Sequence, residues 1–327
     1  MVPKGKPMRH VFPLVVLLAS VATLATDAIA QAYPSKPIRV IIPYGGSSPC
    51  DTLTRLIGQK VVERLGQGFI ADIRTGAGGT IGLEIAARMP PDGYVIACGQ
   101  GGNLVVVPHT YKKLPYDPLK DFAPVALLAT NYLALAIHPS APFKSVKELI
   151  AYGKANPGKL SFASAGEGAF THLTTERFRL QAGFTYLHVP YRTGYFTDLL
   201  SGQVDAVITA FTSMYPYVKS GKLRVLAITK PTRAANYPDI PTIAETLPGF
   251  SAGAWFGFIA PAATPATVIT LLNREVNRAM GLPDVRERMI ALGLDIVTES
   301  PEFFGDTIRS DYAKYGKIVR AIGFKPQ

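Results

Sequence analysis

Cysteine and tryptophan are nearly missing from this 327-residue chain, which has two of the first and one of the second. Cys50 and Cys98 are too few for a disulfide-built scaffold and lack metal-ligand spacing, so the fold must stand on an apolar core. Charge is also sparse, at 17% of residues, and is scattered singly. Without clustered charge, zinc-ligand spacing or an RNA-binding aromatic motif, nucleic acid is excluded as a partner. Beyond residue 32 no stretch reaches the ~20 solidly apolar residues that a bilayer span needs.

What is present begins with a three-part leader. Lys4, Lys6 and Arg9 precede an apolar run, Val11 to Leu24, and small residues at Ala28-Ile29-Ala30 or Ala30-Gln31-Ala32 offer a cleavage site. Residues 1–32 therefore read as a signal peptide cut near Ala30 or Ala32, with the mature chain exported to the periplasm. No cysteine stands near either cut, so no lipid anchor is expected. Removing Lys4, Lys6, Arg9 and Asp27 leaves 31 basic and 22 acidic side chains, a net charge of about +9. With nucleic acid excluded, that balance suits an anionic small ligand drawn in by the long-range field.

The mature length suits two domains. Short β-rich runs alternate with helical patterns, as in parallel sheets with crossover helices. Ile38 to Pro43 reads as a first strand and Asp51 to Leu65 as a helix with Leu53, Ile57 and Val61 on one stripe. A second strand, Phe69 to Ile73, precedes Gly76-Ala77-Gly78-Gly79 and a helix from Thr80 to Arg88. Tyr94 to Cys98 makes a third strand. A second set of such units spans Val146 to Ile228, and helices at Val268 to Met280, Asp284 to Leu292 and Pro301 to Ile322 close the chain. Two long apolar runs, Val125 to Ile137 and Ala254 to Ala260, are expected to cross between domains. Residues 33–132 with 252–327 then form one domain and 133–251 the other, with a ligand in the crevice at the strand ends.

Local motifs along this frame carry a resemblance. Tyr33-Pro34-Ser35-Lys36-Pro37-Ile38, Gly76-Ala77-Gly78-Gly79, Pro91-Asp92-Gly93-Tyr94 and Leu114-Pro115-Tyr116-Asp117 are followed by Asp121-Phe122-Ala123-Pro124-Val125. Then come His188-Val189-Pro190-Tyr191, Gly202-Gln203-Val204-Asp205 and Trp255-Phe256-Gly257. In that order, over nearly the whole mature chain, they resemble the tripartite tricarboxylate transporter substrate receptors, the Bug or TctC-like periplasmic proteins. The resemblance implies an α/β, two-lobed, type II periplasmic-binding-protein-like fold: two doubly wound sheets joined by two crossover strands. It also implies a monomeric, non-enzymatic receptor without cofactor or metal, which captures a small organic carboxylate for a membrane permease pair. A receptor whose loaded form docks on a periplasmic sensor protein is an alternative with the same fold.

A carboxylate receptor needs unpaired backbone N–H groups at helix starts. The loop Pro43 to Asp51 lies against the ligand in the family, which makes Tyr44, Gly45, Ser47, Ser48 and Asp51 candidate contacts. An ordinary N-cap by Ser48 or Asp51 is the competing reading. In this loop Ser47 and Ser48 stand where the family usually has glycines. Gly78, Gly79 and Thr80 follow from the glycine loop, where a missing Cβ lets a ligand approach; Gln100 ends the third strand. From the second domain come Ala165, Gly166, Gly168 and Thr171, with Tyr191 and Thr209 completing the set. Thr209 stands where the family often places an acid. Phe170, Tyr195, Phe211 and Trp255 join Tyr44 as candidate aromatic walls, suggesting a flat carboxylate. His172 reads as a packing or capping residue, and Glu167 as facing water or pairing with Arg192 or a ligand amine.

A hydrolase built from Ser47, Ser164, His172 and Asp51 is the rival from another class. Neither serine sits in a Gly-x-Ser-x-Gly elbow, and no base has a recognisable orienting partner. The cysteines leave two readings open. In a sheet of order 2-1-3 both lie at the ends of neighbouring strands, within reach of a bridge, or they are two semi-buried thiols that never meet.

Overall fold

The structure, a computed structural model, describes residue 1 and residues 33–46, 48–191 and 194–326. The expected leader after Met1 lies outside the described residues, as do Ser47, Arg192 and Thr193. Strand β1 (Ile38–Ile42) is buried along its core-facing length and leads into helix α1 (Pro49–Leu65). The Ser48 hydroxyl accepts from the Asp51 N–H, Pro49 supplies a pre-set φ at the first turn, and Gly66 ends the helix in the left-handed region. The expected stripe Leu53, Ile57 and Val61 is fully buried. Each such side chain contributes roughly 1.5–3 kcal/mol by leaving water.

Strand β2 (Phe69–Ile73), helix α2 (Thr80–Ala87) and strand β3 (Val95–Gln100) complete the first set. β1 pairs in parallel with both β2 and β3, giving the expected order 2-1-3. Strand β4 (Phe122–Ile137) is 16 residues long and joins two ladders. Its first part pairs with β9 (Gly253–Pro261) and the two-residue β10 (Asp295–Ile296); its last part pairs with β7 (Ala206–Ala210) and β8 (Arg224–Ile228). Beyond β7 come β5 (Ser161–Ser164) and β6 (Leu187–Pro190), both parallel to their neighbours. The order β2-β1-β3-β9-β4-β7-β5-β6 is therefore one curled, mixed sheet in two halves. This is the two-lobed arrangement expected from the sequence, with Lys36–Gln327 forming a single compact unit.

Around the second half lie α3 (Val146–Ala155), α4 (Phe170–Ala182), α5 (Tyr195–Leu200) and α6 (Phe211–Lys219); α7 (Ala266–Gly281), α8 (Pro283–Ala291) and α9 (Pro301–Ala321) return to the first. Helix α6 and a helical stretch over Gly102–Thr110 were not expected. Gly257 on β9 shows how tightly helix meets sheet: a Cβ there would lie 2.3 Å from the Phe304 ring of α9 and 2.8 Å from the Ala126 carbonyl. Among the described residues no helix is long and apolar enough to cross a membrane.

Cys50 and Cys98 are joined by a disulfide with Cα atoms 5.8 Å apart, which decides between the two open readings. The bridge ties the first turn of α1 to β3 across a sequence separation of 48 residues. Replacing both cysteines with alanine should cost about 2–4 kcal/mol, read as a lower urea midpoint. Alkylation of the unfolded, unreduced protein should add no label; two alkylated cysteines by intact mass would disprove the bridge.

Candidate functional site

The ends of β1 and β3 and the glycine turn before α2 build one wall. Tyr44, just past β1, donates its phenol proton to the Gly78 carbonyl at 3.3 Å, and its hydroxyl is also hydrogen-bonded to the Gln100 side chain. Burial raises the phenol's pKa above its ordinary value, the Gln100 contact opposing, so Tyr44 stays a neutral donor. Gly79 holds φ +93°, and a Cβ on it would lie 2.9 Å from Asn103 Nδ2 and 3.1 Å from the Tyr44 ring. Asn103 is fully buried: its Oδ1 accepts from the Gln100 N–H at 3.0 Å, and its backbone carbonyl accepts from the Tyr116 hydroxyl at 2.7 Å. Its Nδ2 has no hydrogen-bond partner among the described residues. Gly45 and Gly46 also donate to no acceptor among the described residues. This wall thus collects unused donors, among them a buried one whose lack of a partner costs about 1–3 kcal/mol.

Two candidates here have structural roles. Ser48 is the N-cap of α1, and Asp51 receives the Arg55 guanidinium at 2.8 Å. Ser47 lies outside the described residues.

The opposing loop behaves differently, because it satisfies its own amides. Ala165 N–H donates to the Thr171 hydroxyl at 3.0 Å, Gly166 N–H to Ser164 Oγ at 3.2 Å, and Gly168 N–H to His172 Nδ1 at 3.0 Å. Sequence reasoning counted these amides as open, but the Ser and His side chains that cap them sit within a few residues. Thr209 shares a 2.9 Å hydrogen bond with the Tyr195 hydroxyl, and the Tyr191 hydroxyl donates to Asp198 at 2.6 Å. Glu167 is exposed, the blander of its expected placements.

Three candidate aromatic walls turn out to be packing. Trp255 is 3% exposed, donates Nε1–H to Asp311 at 2.9 Å and meets Phe304 edge-on. Phe170 packs on Tyr315 of α9 at 5.6 Å. Phe211 stacks on Tyr132 at 5.4 Å. Large aromatics bury so much area that cores claim them first, which leaves Tyr44 and Tyr195 beside the candidate polar contacts.

No triad forms from the residues weighed for hydrolysis. Ser164 Oγ lies 2.7 Å from His188 Nε2, not from His172, and Asp51 belongs to the other lobe. Among the described residues no carboxylate hydrogen-bonds to His188. The chain's match to Gly-x-Ser-x-Gly, Gly249–Gly253, runs into strand β9 and not from a strand into a helix, so it is not a nucleophile elbow.

Residues 53–324 match the family described as "Tripartite tricarboxylate transporter family receptor". The chain belongs to that family. It is a family of solute-binding receptors, not of enzymes. A Pseudomonas sp. (strain P51) protein, described as a UPF0065 protein in the tcbD-tcbE intergenic region, is 36% identical over 93% of each chain. The solved structure of R. palustris Rpa4515 with adipate superposes with a TM-score of 0.77 at 30% identity, covering 90% of this chain and 100% of that one. The periplasmic binding protein BugD superposes with a TM-score of 0.73 at 31% identity, covering 90% and 100%.

Sequence reasoning missed Asn103. It carries no local signal, since its role comes from the Gly102–Thr110 turn folding back under Gln100 and Gly79.

His172 and His188 stack with ring centroids 3.9 Å apart and planes 3° from parallel. His172 accepts the Gly168 amide, the capping role expected for it. Glu167, Glu176 and Lys325 share a cavity of about 400 Å3 with the pair, and Glu176 is held by Arg179 at 2.9 Å. Burial, then the neighbouring His188, depresses His172 to about 4, and burial also lowers His188. The unfolded chain binds protons at about 6.5, before the folded one, so this contribution to stability is lost as pH falls from about 6.5 towards 4. Melting temperature followed across that window should fall less steeply in His172→Gln than in the wild type. Equal slopes would count against the assignment.

Proposed function

We propose that this chain is a periplasmic receptor that closes on a small organic carboxylate and presents it to the membrane permease subunits of a tripartite tricarboxylate transporter. The observation that carries the reading is the buried Nδ2 of Asn103 against Gly79 and Tyr44, without a partner among the described residues, as are the amides of Gly45 and Gly46 in the loop after β1. Oriented N–H groups with no acceptor fit a carboxylate, and hydrogen bonds to a charged acceptor are stronger than neutral ones. Adipate in Rpa4515 supports an acid of this class. Export to the periplasm rests on the leader in residues 1–32 and on the family's periplasmic members.

In this reading the domains are residues 33–132 with 252–327, and residues 133–251, hinged where β4 passes from one ladder to the other. The first lobe holds the anion by backbone and amide donors. The loop Ser164–Thr171, with Tyr191, Tyr195 and Thr209, closes from the other side. Among the candidates, Ser48 and Asp51 shape α1 and reach the ligand only through its first turn.

A thermal-shift screen over mono-, di- and tricarboxylates should find an acid that raises the melting temperature. Small-angle scattering should register compaction with that acid. Asn103→Ala should weaken its binding roughly 10- to 100-fold, the equivalent of a lost charge-assisted hydrogen bond. If no acid stabilises the protein, or if the acid is recovered chemically changed, the reading fails.

A further inference from the structure

The seam between the lobes holds a second cavity, of about 960 Å3, that shares no residue with the carboxylate site. Its volume lies at the upper end of the range of about 300–1,000 Å3 usual for small-molecule pockets. Helix α6 and Tyr237 form one side, and helix α8 with the chain leading into β10 forms the other. The two sides touch beside it: a Cβ on Gly293 would lie 2.0 Å from the Thr212 methyl.

The cavity's floor is aromatic. Tyr132 stacks on Phe211 at 5.4 Å, Phe211 meets Tyr237 edge-on at 4.8 Å, and Tyr215 lies 5.3 Å from Tyr237. Packing among these rings leaves Tyr215 36% exposed, and across from it Ile290 is 53% exposed. A flat apolar guest would cover both.

The cavity's charge is unbalanced. Lys230 is 2.7 Å from Asp295 and 5.3 Å from the Tyr132 ring centre, so the one acid lining the cavity is already taken. Arg286, also lining it, has no ion-pair partner among the described residues. A cationic guest would find no free carboxylate, whereas an anion would find an unmatched guanidinium, which binds carboxylates bidentately.

We propose that this cavity is a second binding site, which takes a planar aromatic acid stacked on Tyr215 and Tyr237 with its carboxylate on Arg286. The site shares no residue with the carboxylate cleft, and its occupant bridges α6 of one lobe and α8 of the other.

Benzoate is the probe, with cyclohexanecarboxylate as a control of equal charge and no aromatic ring. Binding is followed by ligand-observed NMR titration on the Asn103→Ala protein, whose cleft is impaired, and on that protein carrying Arg286→Glu or Tyr215→Ala. Both added substitutions are at exposed positions, and melting curves confirm the fold. Saturable benzoate binding at or below the millimolar range, weakened at least about tenfold by each substitution and at least about tenfold for the saturated acid, is the expected result. Three results overturn the proposal: no saturable binding, full affinity in either substituted protein, or equal affinity for cyclohexanecarboxylate. Loss of the benzoate signal in Asn103→Ala when the wild type gives one would place the acid in the cleft and overturn it as well.

Discussion

Both lobes hang on the backbone of one strand. β4 hydrogen-bonds to four others along its 16 residues: β9 and β10 in its first part, β7 and β8 in its last. Most of its residues are buried, so the ladder bonds form where an unpaired amide would be expensive. The register shifts between Pro124 and Ala126 and between Leu127 and Ala129 fit it to β9, and bulges of that kind bend a strand. Everything that meets at the cleft is positioned by its distance from this strand. The ends of β3 and β7 approach it from opposite halves, Gln100 opposite Phe256 of β9 and Ala210 opposite Leu133 of β4.

The frame was legible because it rests on repeating patterns. The Leu53, Ile57, Val61 stripe marks a buried helix face, and the apolar runs at Val125 to Ile137 and Ala254 to Ala260 became β4 and β9 within a few residues. Helix α6 was missed because it starts on the residue after β7 ends, has no side-chain cap and contains Pro216, so local signals argue against it. Tertiary packing overrides them, burying Phe211 and Met214. The two-residue β10 is likewise invisible in sequence, since only its pairing with Thr130 and Ala129 makes it a strand.

The site was legible as a set of loops and not as a set of contacts. Glycine loops announce where something comes close to the backbone; at Gly79 it is the chain's own Asn103 and Tyr44, which together with its φ exclude any side chain. Which amides remain open depends on capping by neighbours. Ser164, Thr171 and His172 close the second-lobe loop upon itself, whereas among the described residues no side chain accepts from Gly45 or Gly46. Asn103 could not be chosen among the chain's asparagines without knowing that Gln100 and Tyr116 hold it from two sides.

That asymmetry divides the work of binding under the proposed function. The first-lobe wall is held rigid before any ligand arrives: the Cys50–Cys98 bridge fixes the start of α1 to β3, and Asn103 spans Gln100 and Tyr116. Little ordering remains to be done there, and pre-organisation of this kind raises affinity by removing entropy that binding would otherwise lose. The second-lobe loop must exchange an internal hydrogen bond for each amide it offers, which makes its contribution per contact smaller. A carboxylate therefore gains most of its free energy from the first lobe, and closure of the second adds selectivity through Tyr191, Tyr195 and Thr209. In a receptor that must release its ligand, a strong fixed wall facing a weaker, self-satisfied one sets a low barrier to reopening, because the loop recovers its own hydrogen bonds as it withdraws.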